Sequence, residues 1–231
     1  MRVNLFPFLG DWRRARGLAS RHLALEFNFA PLLKELVSLE YELGEFEQGE
    51  AYLKQMQEIM RRTPPRPGPE YADTSLVSHF ASRITGSPDY LEVAGQAARV
   101  VLSSALAHPF WVEIVRTGLA LKAIETRDYA LAEEQYIALM GLPGKMRGSY
   151  ICADRLMGLL SHTLGNFDQA AAHFEDALVF CRQEGFRPEL AWTCYDYAEA
   201  LLQSGSTSDL AKALSLLEES LAISTDLGMR P

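Results

Sequence analysis

Between Asp154 and Ala177, apolar and polar positions follow a helical period rather than the alternation of a strand. Leu156, Met157, Leu159, Leu160 and Leu164 recur at spacings of about three and four, the signature of one apolar helix face. Gly165-Asn166-Phe167 interrupts that run. Gly165 suits the left-handed position that ends a helix, and Asn166 or Asp168 can cap the next one. Phe167, Ala170, Ala171, Phe174, Ala177 and Leu178 then resume on a second stripe. The stretch therefore predicts a helical hairpin. One hairpin cannot bury both of its stripes, so it needs neighbours of the same kind.

Degenerate copies of the unit can be followed along the chain. Gly10-Asp11-Trp12 repeats the turn chemistry, and Ala15, Ala19 and Leu23 follow on a helix to about Glu26. No first helix fits before it, so the chain is expected to begin halfway through a repeat, as an internal start or as a piece of something longer. Residues 31–43 and 46–62 predict a pair around Gly44-Glu45-Phe46. Residues 71–85 and 89–105 predict another around Gly86, with Pro88 and Asp89 as helix-start signals. Residues 109–126 and 129–140 meet at Arg127-Asp128-Tyr129, and residues 188–203 and 209–226 form the last pair. Between the second and third units, RRTPPRPGPE cannot be helical, and a proline-rich inter-repeat loop is expected over 61–72. Pro64-Pro65-Arg66-Pro67 could serve an SH3-type groove, but helices on both sides favour a plain exposed loop.

Taking Gly10, Gly44, Gly86, Arg127, Gly165 and Gly205 as markers, the repeat spacings are 34, 42, 41, 38 and 40 residues. Met157-Gly158, Ala170, Phe174 and Ala177 resemble the tetratricopeptide repeat signature, in which a small residue of the first helix lets the second pack closely. Asp154 stands where that family often has Trp, and Ser161 where it often has an aromatic. The resemblance implies one all-α domain over 1–231: a right-handed αα-superhelix, a TPR-like solenoid of about five to six hairpins. AWTCYDYAEALLQSG (191–205) and ALSLLEESLAISTDLGM (213–229) further resemble the C-terminal helical repeats of bacterial AAA/STAND ATPase signalling proteins. Those include adenylate or guanylate cyclase-associated and LuxR/MalT-type regulators. In that family the repeats bind inducers or partner proteins and restrain the ATPase, while the cyclase or helix-turn-helix output lies elsewhere in the chain.

Composition changes this picture little. Hydrophobic residues make up 48% and charged residues 23% of 231, which is ordinary for a globular chain. The net charge of −8 argues against binding nucleic acid, which needs a basic face. Nothing reaches membrane-spanning length, and the apolar N-terminal run is too short for a signal peptide. Cys152, Cys181 and Cys194 have no metal-type spacing and fit reduced thiols in the cytoplasm. Cys181 and Cys194 could approach each other between neighbouring helices, with a reduced pair the stronger expectation in the cytosol.

No catalytic constellation emerges. Gly141-Leu142-Pro143-Gly144-Lys145 has two residues between the first glycine and the Gly-Lys pair, where a phosphate loop needs about four. Met146 stands where the Mg²⁺-binding hydroxyl would be. His162, His173 and Cys181 lack the spacing of a zinc site. No cofactor and no metal are therefore expected. Arg13, Arg14, Arg16 and Arg21 beside Trp12 form the one basic cluster and read as a solvated face.

The remaining functional surface is geometric. First helices of stacked hairpins line a concave groove suited to an extended ligand. Projecting the repeat alignment, Lys34, Ser38, Tyr41, Arg155, His162, Trp192, Tyr195 and Glu199 are expected to face it. Aromatic and arginine side chains dominate binding hot spots, so Tyr195, Trp192 and Arg155 lead. The expected function is a non-enzymatic interaction or sensor module that holds a protein or peptide segment. The alternative is a regulatory piece of a multidomain signalling ATPase whose other domains are its partners. The open repeat at residues 1–26 is expected to dimerise or fray.

Overall fold

The computed structural model describes residues 7, 9–25, 30–142, 145–147, 151–204 and 207–230. Its helices are α1 (Trp12–Leu25), α2 (Ala30–Glu42), α3 (Phe46–Arg62), α4 (Pro69–Thr85), α5 (Asp89–Leu102), α6 (Pro109–Thr126) and α7 (Tyr129–Leu139). After a two-stranded ribbon, β1 (Met146–Arg147) and β2 (Ile151–Cys152), come α8 (Ala153–Thr163), α9 (Phe167–Glu184), α10 (Arg187–Ser204) and α11 (Thr207–Leu227). The fold is all-α and built from neighbouring packed helix pairs, as the periodicity predicts.

The turns use the chemistry read from the sequence. Gly165 adopts φ 79°, its N–H donates to the His162 carbonyl at 3.0 Å, and the Asn166 N–H reaches back to Ser161 at 2.9 Å. Those bonds occupy carbonyls that a helix end would otherwise leave bare. Arg127 takes the same left-handed role at φ 51° without being glycine. The Asp128 carboxylate then caps α7 by accepting from the Leu131 N–H at 3.0 Å. Two features differ from the expectation. Pro69 opens α4 at its first turn, where the missing proline N–H is not needed, so the proline-rich connection shrinks to residues 63–68. The ribbon is an addition to the expected helices: Met146 pairs with Cys152 and Arg147 with Ile151. Gly205 and Ser206, where the sequence predicts a turn, lie outside the described residues, as do Pro143 and Gly144.

The chain divides into two compact units, one of Trp12–Leu142 with Arg230–Pro231 and one of Met1–Asp11 with Pro143–Met229. In the first, α4 packs against α2, α3, α5 and α6. Leu33, Val37, Tyr41, Leu53, Met56, Val77 and Ala81 form a fully buried cluster there. In the second, α8 packs on α9 and α10 on α11. Phe174 is fully buried and stacks on Tyr197 at 5.0 Å between ring centres. A β-carbon on Gly158 would stand 3.2 Å from the Phe174 ring. Gly158 is thus a packing position, the role that the resemblance implies for it.

Candidate functional site

The eight residues projected onto the groove separate into an inner and an outer set. Lys34, Ser38, Tyr41 and Arg155 are buried. His162 and Trp192 are half-buried, and Tyr195 and Glu199 are exposed.

In the first unit the buried members are committed to neighbouring helices. The Lys34 ammonium lies 3.3 Å from an Asp73 carboxylate oxygen, joining α2 to α4. Burial pushes the Asp73 carboxyl above its usual range, and Lys34 opposes the shift. Tyr41 Oη stands 3.4 Å from both Glu50 Oε2 and Tyr90 Oη, and Tyr90 also donates to Glu50. Burial raises the Tyr41 and Tyr90 hydroxyls. Burial acts the same way on Glu50, but the Tyr90 hydroxyl and the Lys54 ammonium outweigh it and hold that carboxyl below its usual range.

In the second unit Arg155 clamps α8 to α10. Its Nε donates to Asp196 Oδ2 and its Nη1 to Glu189 Oε2, both at 2.7 Å. Glu189 Oε1 also accepts from the Cys152 N–H at 2.6 Å, where the chain enters α8. All three charged side chains are nearly inaccessible. Two carboxyl groups share one guanidinium. Burial raises the Glu189 carboxyl, against the pull of Arg155.

On top of this clamp sits an aromatic platform. The Arg155 guanidinium carbon lies 5.2 Å from the centre of the Trp192 ring, within cation–π range. Trp192 meets Tyr195 edge-on, with ring centres 6.4 Å apart. Glu199 continues the same α10 face, seven residues and about two turns from Trp192. Leu202, exposed as well, extends the face by one more turn and is absent from the sequence projection. Its signal is nonetheless present, since it stands seven residues beyond Tyr195. Tyr195 keeps 46% of its surface exposed even though its neighbour is anchored from below.

Among the described residues, no group of three or more His, Cys, Asp or Glu side chains is arranged to hold a metal ion. Nor, among them, is any helix long and apolar enough to cross a membrane. All three cysteines are free and buried, and the thiols of Cys152 and Cys181 meet. Their thiol–thiol hydrogen bond lowers Cys152 and raises Cys181. Burial pushes the Cys194 thiol up to about 12.

The tetratricopeptide repeat family model matches residues 149–226, the segment that carries the Arg155 clamp and the aromatic platform. Such repeats are generally non-catalytic protein-interaction modules. No match is found among curated proteins or among solved structures.

Proposed function

We propose that this chain is a non-enzymatic interaction module whose α10 face, Trp192, Tyr195, Glu199 and Leu202, holds a protein or peptide segment. One observation carries the reading: a half-buried Trp192 and an exposed Tyr195 are braced from beneath by a buried ion cluster. Rigid aromatic side chains lose little freedom when they are covered, which is why they dominate binding hot spots. His162 of α8 is half-buried. Its ring lies edge-on to Phe167 at 5.4 Å. Lys34, Ser38 and Tyr41 serve the first unit through the packing of α2, and Arg155 serves the face from below. The three reduced, buried cysteines support a cytoplasmic setting.

The likeness of residues 191–205 and 213–229 to the repeats of bacterial signalling ATPases supports a more specific form of this proposal. There the occupant of the face is a segment of a regulated ATPase with a cyclase or helix-turn-helix output.

Panning a random peptide library against the full chain tests the face whatever its natural partner is. Enriched peptides should lose at least about tenfold in affinity, close to 1.4 kcal/mol, on the separate exposed substitutions Tyr195→Glu and Leu202→Glu. Trp192→Ala should do the same, with circular dichroism confirming that the helices persist. Peptides that bind all three variants as tightly as the native chain would refute the assignment.

A further inference from the structure

Successive helical residues turn by about 100°, so Trp192, Tyr195, Glu199 and Leu202 fall within about 80° of one another around α10. Four residues separate Tyr195 from Glu199, which makes the two side chains neighbours one turn apart. Tyr195 and Glu199 are both exposed. Gln203, a further turn on, donates to Glu199 Oε1 at 3.4 Å, a long bond to one of the two carboxylate oxygens. An aromatic ring and a carboxylate thus stand side by side, with the apolar Leu202 next to them.

The cations of this part of the chain are already engaged. Arg155 lies buried beneath Trp192, bound to Glu189 and Asp196. Residues 143–229 hold six Lys and Arg against twelve Asp and Glu. Lys145 pairs with Asp154, Arg182 with Glu219, Arg187 with Asp226 and Lys212 with Glu175. Arg147 is buried. An acidic segment approaching α10 would meet a like charge at Glu199 and no cation to offset it, and such juxtaposition suppresses binding. A basic segment would meet the Glu199 charge and the electron-rich face of the Tyr195 ring, which attracts cations. The acidic surplus around them would speed its encounter. Trp192 already has the Arg155 guanidinium over its ring, so Tyr195 is the ring best placed to take a second cation.

We propose, resting on the reading of α10 as the face that holds a peptide, that its occupant is a cationic segment. An Arg or Lys side chain lies across Tyr195 and pairs with Glu199, while an apolar neighbour in the segment covers Leu202.

A double-mutant cycle on peptides panned against the full chain tests this. Enriched peptides should carry Lys or Arg beside an apolar residue. Replacing that cation by an uncharged analogue of similar shape, norleucine for lysine or citrulline for arginine, should weaken binding to the native chain at least about threefold, the scale of an exposed ion pair. The same replacement should matter little with Glu199→Gln, where the pair is already broken. Glu199→Lys should weaken the cationic peptides further by repulsion. Both variants should keep native helical ellipticity, since the side chain is exposed. Equal losses on the native chain and on Glu199→Gln would overturn the pairing, and so would enrichment of acidic or uncharged peptides. The reading of the face fails in a different way. Peptides indifferent to Trp192→Ala and Leu202→Glu would show that they bind elsewhere and remove both readings. Peptides that need Trp192 and Leu202 but ignore Glu199 and their own charge would keep the face and remove the cation.

Discussion

His79 on α4 is inaccessible to solvent, and α6 approaches it closely enough that a β-carbon on Gly118 would stand 2.6 Å from its Nδ1. Burial, assisted by the Lys122 charge, pushes its pKa down to about 3, with a backbone hydrogen bond at Ser75 opposing. An unfolded histidine titrates near 6.5. Because the folded value is the lower one, the unfolded chain binds a proton that the folded chain refuses. Stability is therefore complete above about pH 6.5 and is lost as pH falls from there towards about 3. At about pH 5 the loss from this group alone is about 2 kcal/mol, approaching 4–5 kcal/mol near pH 3. Asp73 and Glu189, whose carboxyls are raised by burial, act with the opposite sign, so the native chain alone cannot isolate the effect. The measurement is a set of urea unfolding curves between about pH 7.5 and 5, run on the native protein and on His79→Leu. The variant removes the titrating group and keeps an apolar side chain of similar bulk. The difference in unfolding free energy between the two proteins should change by about 2 kcal/mol across that range, with the native protein losing more. A difference that stays flat with pH would show that His79 is protonated in the folded state and refute the burial argument.

Two further predictions concern the second unit. Gly158→Leu should drive a side chain into the Phe174 ring and cost about 1–3 kcal/mol; an unchanged melting temperature would contradict the close approach of α8 and α9. Arg155→Ala should leave Glu189 and Asp196 buried without their cation and cost about 3–5 kcal/mol at neutral pH. The raised Glu189 carboxyl gives that variant a sign of its own: it should regain part of the loss as pH falls through the Glu189 pKa, seen as a thermal transition that moves upward on mild acidification.

What can be read from the sequence is whatever repeats locally. Gly165 and Asn166 announce a turn because the backbone there needs a left-handed residue and a cap, and both requirements sit within a few residues. Ala170 and Phe174 announce a hairpin because the same small and aromatic spacing recurs at Ala132 and Tyr136. Charge pairing is different, because it has no period. Lys34 finds Asp73, and Arg155 finds Glu189 and Asp196, across separations that no local pattern reports. Polar positions expected to face an open groove are thus internal ties in α2 and α8. The ribbon at Met146–Cys152 is illegible for the opposite reason, since two residues per strand are too few to show an alternation. The contact of Cys152 with Cys181 is illegible with it, since Cys152 stands on β2.

The way the chain closes on itself has a kinetic meaning. The Arg230 N–H donates to the Glu42 carbonyl at 2.9 Å, and Gly10 lies against the Leu227 side chain. Both contacts join residues far apart in the sequence, whereas each hairpin needs only a short loop to form. The entropy lost in closing a loop grows with its length, so these latches gain nothing until the intervening helices are in place. They should be the last native contacts made in folding and the first released in unfolding. A fluorophore and quencher at residues 9 and 228 would then report a late phase that follows the recovery of helical ellipticity.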